Sequence, residues 1–258
     1  MDILLTNDDG ICAPGLAAAA KALSEQGTVW VAAPAYDQSG QSHHRHLSGP
    51  LRAERVEFPG AAGAWRIHGT PADCVALAVT TLINAPVGLV FSGINHGPNL
   101  SSNLLYSGTA AAALEASLAG IPAVAASCAA WDEASLRQAA QPACRAALAA
   151  ARAGQTLALN LNFPAAGRYR GVRVCRADGV CRHPAPFERA GETLFFPPRS
   201  PGVWQPAGRD ALALAQRYVT VTPLSAEWSD LSRLQMTAAV LEKAFGEEQH
   251  IFTGEEDT

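Results

Sequence analysis

The stretch ILLTNDDGICAPG, residues 3–15, sets Asp8 and Asp9 side by side directly after an apolar run. Neighbouring side chains of a strand point to opposite faces, and two carboxylates at contact distance repel by roughly 1–4 kcal/mol, depending on the local dielectric. Gly10 lets the backbone turn sharply, so that both carboxylates can leave the strand direction and face one ion. This stretch alone leaves two interpretations open: hard oxygen ligands for Mg²⁺ or Mn²⁺, or a helix-capping pair or Asx turn before Pro14.

The segments that follow predict an α/β fold. A strand at 2–6, a helix at 14–25 and a strand at 28–34 form a strand–helix–strand unit, which indicates a parallel sheet with a right-handed crossover. Further strands are predicted at 64–68, 87–91, 122–127 and 156–164, and helices after Thr70 as N-cap, at 109–119 and at 133–153. We therefore expect a doubly wound, mostly parallel sheet, with a core domain over residues 1–164.

The character of the chain changes after residue 164. Residues 165–210 are rich in Pro, Gly and Arg, and the short segments GVRVC and ETLFF predict a β-hairpin appendage suited to subunit contacts. A strand is predicted at 218–224, an amphipathic helix at 228–245 and a frayed end after it. We interpret residues 165–258 as a hairpin and oligomerisation region.

Composition and charge exclude several classes of function. The net charge is −4 without a basic run, which argues against a nucleic-acid duplex as partner, although a small phosphorylated molecule remains compatible. The six cysteines are scattered without a CxxC pattern and are expected to be free thiols. Because neither a signal peptide nor a membrane-length apolar segment is visible, we expect a cytoplasmic protein.

Three polar clusters directly follow three of the predicted strands: Asn7–Gly10, Asp37–Gly40 and Ser92–Asn95. In open α/β sheets, ligands bind outside the carboxyl ends of the strands. One such cluster is common, but three that follow separate parallel strands should converge on one crevice. This coincidence favours the metal interpretation of the aspartate pair.

The candidate ligands in the second and third clusters have alternatives of their own. Ser39 is a neutral metal ligand, a nucleophile or part of a surface ST turn, and the absence of a G-x-S-x-G elbow disfavours the nucleophile. Asn95 and Asn99 can offer side-chain amide groups on a rigid loop. The alternative is that they only stabilise turns, and this alternative applies more to Asn99 than to Asn95. Tyr106–Thr109 precedes an Ala-rich helix, and this segment is either an anion site or an ordinary N-cap.

The histidines do not form a recognisable metal motif. His43, His44 and His46 lie in a polar loop after Ser39 without HExxH spacing, so solvent-exposed or substrate-edge positions are favoured over metal ligation. His68 and His96 follow predicted strands, where loop or core hydrogen bonding is favoured over acid–base catalysis.

These residues resemble the SurE family of metal-dependent 5′/3′-nucleotidases. The resemblance is carried by ILLTNDDGICAPG, AAPAYDQSGQS, HGTPADCV, FSGINHGPNL, YSGTAAAALEA, LNLNFP and YVTVTPL, in the family's order, over about residues 2–224. It implies a Rossmann-like domain, an extended hairpin, and a C-terminal segment exchanged in a homodimer or homotetramer. It also implies one Mg²⁺ or Mn²⁺ per subunit, bound at Asp8, Asp9, Ser39 and Asn95.

The chain departs from the family pattern beside Ser39. Gln38 stands where family members commonly have a basic residue, and Ser42–Leu47 replaces a Ser-Asn-Ser-Leu-Thr-like stretch. These departures leave the ligand positions intact but put leaving-group preference and pH optimum in doubt.

The function expected from residues and resemblance is hydrolysis of nucleoside 5′-monophosphates, or 3′-monophosphates, to nucleoside and phosphate. The alternative is a nucleotide-sensing module without turnover. Asp8 or Asp9 is expected to align the attacking water or accept its proton. The expected site residues are Asp8 and Asp9 as catalytic groups and metal ligands, Ser39 and Asn95 as further metal ligands, and Asn95, Asn99, Ser107, Gly108 and Thr109 as phosphate or substrate contacts.

Overall fold

The computed structural model describes residues 1–153, 158–178, 188–195 and 208–227. The strands are β1 (Asp2–Thr6), β2 (Thr28–Pro34), β3 (Ala53–Val56), β4 (Gly63–Ile67), β5 (Val87–His96), β6 (Ala123–Cys128), β7 (Ala158–Phe163), β8 (Gly171–Val174), β9 (Glu188–Ala190), β10 (Thr193–Phe195) and β11 (Tyr218–Leu224). The α-helices are α1 (Pro14–Leu23), α2 (Pro71–Leu77), α3 (Gly108–Leu118), α4 (Glu133–Arg152) and α5 (Arg209–Ala215).

Nine strands of the described ranges form one sheet in the order β3-β4-β2-β1-β5-β6-β7-β11-β8. The six central strands from β4 to β7 run parallel, β3 and β11 are antiparallel to their inner neighbours, and β8 is parallel to β11. The predicted α/β fold with a mostly parallel sheet is therefore confirmed.

Helices cover both faces of this sheet. The helices α1 and α4 pack together over one face, and α2 and α3 pack together over the other. Alanine side chains form most of the inner surface of α3, including the fully buried Ala112, Ala113 and Ala116. Because alanine adds little bulk, α3 can approach the sheet closely, and its N-terminus lies near the end of β1.

The order of the strands reverses direction at β1. The next strand in sequence, β2, pairs with one side of β1, and β5 pairs with the other. Loops after β1, β2 and β5 therefore diverge at a topological switch point, which is where open α/β sheets place their ligand crevice.

The strand β5 is longer than predicted. The sequence placed Ser92–Asn95 in a loop after a strand ending at residue 91, whereas β5 continues to His96. Its pairing with β6 shifts register between Gly93 and Asn95, and the Gly93–Ile94 peptide bond is cis. Such an irregularity has no signal in hydrophobic periodicity, because glycine and asparagine are typical of loops.

The region after residue 164 also differs from its predicted form. GVRV was expected in a hairpin, but β8 extends the main sheet beside β11, whereas β9 and β10 form a separate antiparallel hairpin. The described residues up to 225 belong to one compact unit. The predicted helix at 228–245 and the frayed end lie outside the described residues.

Two smaller expectations are met where the structure describes them. Thr70 caps α2 in a reciprocal pair with Asp73, whose backbone N–H donates to Thr70 Oγ1 at 3.2 Å while Asp73 Oδ2 accepts from the Thr70 N–H at 2.9 Å. The cysteines within the described ranges are free, and Cys74, Cys128 and Cys144 are buried.

Among the described helices, none combines the length and the apolar character that crossing a membrane requires.

A buried carboxylate fixes the segment that leads into α3. Asp210, fully buried in α5, accepts from the backbone N–H and from the hydroxyl of Ser101, both at 2.7 Å. Ser101 begins the 3₁₀ turn Ser101–Tyr106, which ends directly before Ser107, the N-cap of α3. The contact therefore holds the loop between β5 and α3 against α5.

We predict that Asp210→Ala destabilises the protein by roughly 2–4 kcal/mol, because it leaves two buried donors of Ser101 without their charged acceptor. Urea unfolding measures the loss. The control is Glu133→Ala, which removes an exposed i,i+4 ion pair with Arg137 and should cost much less. Equal losses for the two variants would contradict the assigned role of Asp210.

Candidate active site

The predicted polar clusters lie at one edge of the sheet. β2, β1 and β5 are neighbours, and all three run parallel, so their carboxyl ends open onto the same side. Asp8 and Asp9 follow β1, Ser39 follows β2, and Asn95 lies near the end of β5. The convergence expected from the sequence is therefore present in the topology.

Gly10 shapes the turn after the aspartates. Its φ is +98°, and a Cβ there would lie 3.2 Å from the carbonyl carbon of Tyr36. Asn7 Nδ2 donates to the Gly10 carbonyl at 2.9 Å, and the Ile11 N–H donates to the Pro34 carbonyl at 2.9 Å. The turn is thus packed against the end of β2, and a residue with a side chain would be strained there.

The capping interpretation of the aspartate pair is wrong for α1. The N-cap of α1 is Ala13, which makes no side-chain capping hydrogen bond. Asp8 and Asp9 are instead directed to other elements of the crevice.

Asp8 is held by the N-terminus of α3. Its side chain is buried, Oδ1 accepts from Thr109 Oγ1 at 2.7 Å, and Oδ2 accepts from the Thr109 N–H at 3.0 Å. A Cβ on Gly108 would lie 2.9 Å from the Asp8 Cβ, so only glycine permits this approach. Burial raises the pKa of Asp8, an effect that the two hydrogen bonds from Thr109 partly oppose.

Asp9 faces the end of β5. Its Oδ2 accepts from the backbone N–H of His96 at 3.2 Å. Burial and, next, the charge of Asp8 raise the pKa of Asp9 to about 7, with a smaller contribution from Asp37. The charge of Asp37 acts on both Asp8 and Asp9, which indicates that the three carboxylates lie near one another at this edge of the sheet.

Ser39 is oriented by Asp37. Asp37 Oδ1 accepts from the Ser39 N–H at 2.8 Å and from the Ser39 hydroxyl at 2.6 Å. The neighbouring Gln38 N–H donates to the Asp8 carbonyl at 2.8 Å, which holds this loop beside the aspartate pair. Because the hydroxyl proton points to Asp37, the oxygen lone pairs point elsewhere and are suited to a cation.

Asn95 is nearly buried at the end of β5. Its Nδ2 donates to the Gly97 carbonyl at 2.8 Å, which leaves Oδ1 as the atom that can bind a cation. A side chain at Gly93 would collide with the Ala126 carbonyl oxygen, so the backbone before Asn95 also requires glycine.

The predicted phosphate contacts fall into two groups. Ser107 Oγ accepts from the Ala110 N–H as the N-cap of α3, while both donors of Thr109 are used by Asp8. Asn99 donates through Nδ2 to Ser127 Oγ at 2.9 Å and through its backbone to Asn162 Oδ1 at 2.7 Å. Asn99 thus contacts the ends of β6 and β7, and its contact with substrate stays a prediction.

The charges of the crevice fit a cation. Asp8, Asp9 and Asp37 lie near one another, and no basic side chain forms an ion pair with Asp8 or Asp9 within the described ranges. Carboxylate, hydroxyl and amide oxygens are the donors that Mg²⁺ and Mn²⁺ prefer. No cluster of three or more His, Cys, Asp or Glu side chains suited to a metal occurs in the described part of the chain. The predicted ligand set also includes Ser39 and Asn95, and only its two aspartates belong to these four residue types, so it does not count as such a cluster.

The histidines near the crevice pair with carboxylates of the scaffold. His43 contacts Glu115 and His46 contacts Asp73, while His68 contacts Glu54 at the far side of β4. His96 stacks on Trp131 with ring centroids 4.6 Å apart.

Sequence reasoning missed two roles. It grouped Asp37 with Ser39 without foreseeing that Asp37 orients the hydroxyl, although the i,i+2 spacing is typical of an Asx turn. It assigned Thr109 to phosphate, whereas this threonine positions Asp8, a pairing 101 residues apart that only the fold reveals.

Comparisons with known proteins agree with this geometry. A family profile described as "Survival protein SurE" matches residues 3–181. The chain is 40% identical over 252 residues to a protein of Methylococcus capsulatus named 5′-nucleotidase SurE, covering 93% of this chain and 98% of that one. It is 42% identical over 215 residues to a protein of the same name from Synechococcus sp., covering 81% and 76%.

A solved structure has the same architecture. The crystal structure of the SurE protein from Aquifex aeolicus superposes with a TM-score of 0.77 at 27% identity, covering 93% of this chain and all of that one. The crevice at the ends of β1, β2 and β5 and the match over most of the chain lead to one conclusion: this chain belongs to the SurE family.

Proposed function

We propose that the crevice at the carboxyl ends of β1, β2 and β5 hydrolyses nucleoside 5′-monophosphates with one divalent cation. The chain is a 5′-nucleotidase of the SurE type, by its family and by 39–40% identity over most of its length to relatives of that name. The observation that carries the metal-dependent mechanism is the placement of two adjacent carboxylates, Asp8 and Asp9, at the edge formed by the carboxyl ends of neighbouring parallel strands. Burial raises the pKa of both, and the charge of Asp8 raises that of Asp9 further.

Four residues would hold the cation: Asp8, Asp9, Ser39 through its hydroxyl and Asn95 through Oδ1. When bound, a divalent cation supplies positive charge to phosphoryl oxygens and polarises water for in-line attack. Thr109 fixes the orientation of Asp8, and Asp37 fixes that of Ser39. Such supporting contacts decide whether ligand atoms are correctly placed before binding.

Asp9 is the better candidate for handling the attacking water. Both oxygens of Asp8 already accept hydrogen bonds from Thr109, whereas only Oδ2 of Asp9 accepts from His96. Asp9 is also less buried than Asp8. We therefore assign to Asp9 Oδ1 the alignment of the water and the acceptance of its proton.

The first turn of α3 would bind the phosphate. The Ser107 hydroxyl hydrogen and the Gly108 N–H are donors of this turn that neither Asp8 nor the helix cap uses. They lie at the positive end of the helix, close to the aspartate pair, where phosphate is stabilised electrostatically. Thr109 contributes indirectly, because its donors hold Asp8.

Further parts of the proposal concern assembly, metal and compartment. We propose one Mg²⁺ or Mn²⁺ per subunit, a homodimer or homotetramer with an exchanged C-terminal segment, and 3′-monophosphates as additional substrates. We also propose the cytoplasm as the compartment, because the buried thiols of Cys74, Cys128 and Cys144 fit a reducing environment.

We predict that Asp8→Asn lowers release of phosphate from AMP by at least about 100-fold at saturating Mn²⁺, because the loss of one ligand charge weakens the cation site. A phosphate assay with EDTA treatment and metal add-back measures the effect. Asp178→Asn, which alters an exposed ion pair with Arg209, is the control and should leave the rate unchanged.

Two results would contradict this account. Wild-type protein that binds AMP but releases no phosphate with either Mn²⁺ or Mg²⁺ would favour the sensing module. Undiminished activity of Asp8→Asn would remove Asp8 from the metal site.

The raised pKa of Asp9 predicts a pH dependence of stability in metal-free protein. The folded state, with a pKa of about 7 at Asp9, binds more protons than the unfolded state, where an exposed aspartate titrates near 3.8. The contribution of Asp9 to the free energy of unfolding therefore falls as pH rises from about 4 to about 7 and then levels off.

Urea unfolding of wild type and Asp9→Asn in EDTA, between pH 5 and 8, isolates this contribution as the difference between the variants. We expect the stability of wild type relative to Asp9→Asn to decline with rising pH. Parallel curves for the two proteins would show that Asp9 titrates normally.

A further inference from the structure

The segment Ser42–His46, here called the histidine segment, follows the Ser39 loop, contacts α3 at Glu115 and reaches the start of α2. It contains three histidines and Arg45. Within the described residues, each of its five members makes a hydrogen bond to another element or to a neighbouring turn. Its course is therefore fixed by contacts at both ends and in the middle.

Glu115 forms the central contact. Its Oε2 lies 2.9 Å from His43 Nε2, and its Oε1 accepts from Arg45 Nη1 at 2.8 Å. The Glu115 side chain is only 12% exposed, so both contacts lie in a partly dry environment. Both carboxylate oxygens are occupied by side chains of the histidine segment.

Hydrogen bonds also hold the two ends of the histidine segment. At the first end, Ser42 donates through Oγ to the Leu105 carbonyl at 2.6 Å and through N–H to the Tyr106 carbonyl at 3.2 Å. At the other end, the backbone N–H and Nδ1 of His46 lie 2.9 Å and 2.7 Å from the carboxylate oxygens of Asp73. The segment thus connects the residues before Ser107 with the capping box of α2.

We propose that Glu115 is a positioning residue: by holding His43 and Arg45 it fixes the histidine segment and, through it, Ser39 at the cation site. Ser39 itself is exposed and precedes Gly40, whose φ of +79° and open surroundings give that stretch no packing support. The orientation of Ser39 therefore depends on Asp37 and the Gln38 N–H bond to the Asp8 carbonyl before it, and on the histidine segment after it.

This inference rests on the proposed function, since it assumes that Ser39 binds the cation. It assigns the histidines neither metal ligation nor proton transfer. It also gives His43 and Arg45 one shared effect, because each acts through the same carboxylate.

Mn²⁺ binding by calorimetry tests the proposal in wild type, Glu115→Ala, Glu115→Gln, His43→Ala and Ser39→Ala. We expect Glu115→Ala to raise the Kd for Mn²⁺ by about 10-fold or more, as supporting contacts of metal ligands typically do. Glu115→Gln keeps an acceptor for Arg45 and should recover part of the affinity. His43 is partly exposed, so His43→Ala serves as a second variant in case Glu115→Ala folds poorly. It should also raise the Kd for Mn²⁺.

Glu54→Ala is the matched control. Glu54 also contacts one histidine and two arginines, His68, Arg52 and Arg66, but it lies on β3 and forms no ion pair with the histidine segment within the described residues. Its replacement should leave the Kd for Mn²⁺ unchanged. A double-mutant cycle of His43→Ala with Glu115→Ala should show non-additive effects on Kd, since both remove the same contact.

The outcomes distinguish a failure of the positioning role of Glu115 from a failure of the proposed cation site. If Ser39→Ala weakens Mn²⁺ binding while Glu115→Ala and His43→Ala do not, the positioning role of Glu115 is overturned and the cation site stands. If Ser39→Ala leaves Mn²⁺ binding unchanged, both the Ser39 ligand and the positioning role are overturned. Loss of unfolding stability without a change in Kd would reduce Glu115 to a structural residue.

Discussion

The repulsion between the adjacent carboxylates of Asp8 and Asp9 is the constraint on which the rest of the crevice depends. A folded chain gains nothing in stability from burying two neighbouring negative charges, and burial raises the pKa of both. The structure opposes this cost only in part, through Thr109 for Asp8 and the His96 N–H for Asp9. A cation would convert the repulsion into attraction, which gives the arrangement its chemical purpose.

The sheet places the remaining groups around that pair. Because β2 and β5 lie on either side of β1, the loop that carries Ser39 and the end of β5 that carries Asn95 flank the aspartates on opposite sides. The N-terminus of α3 lies against Asp8, where Gly108 allows close contact and Ser107 caps the helix. Residues distant in sequence support this arrangement, among them Asp210 beneath the loop before α3 and Glu115 beside the histidine segment.

Much of this could be predicted from the sequence, and the reasons are local. The strands β1 and β2 and the helix α1 follow from apolar runs and from the positions of Gly and Pro, and Thr70 as the N-cap of α2 follows from the residues after it. The convergence of Asp8, Ser39 and Asn95 follows from the rule that parallel strands share one carboxyl edge. The extension of β5 through Gly93 and the place of β8 in the main sheet could not be predicted, because pairing partners determine both. The use of Thr109 by Asp8 and of Glu115 by His43 likewise depends on contacts between distant segments.

The most direct test of the central claim is a crystal structure of the protein with Mn²⁺, with data collected at a wavelength where manganese scatters anomalously. The account predicts one anomalous peak per subunit, bound by the carboxylates of Asp8 and Asp9, the Ser39 hydroxyl and Asn95 Oδ1. A peak at the histidine segment instead, or none in the crevice at saturating Mn²⁺, would contradict it.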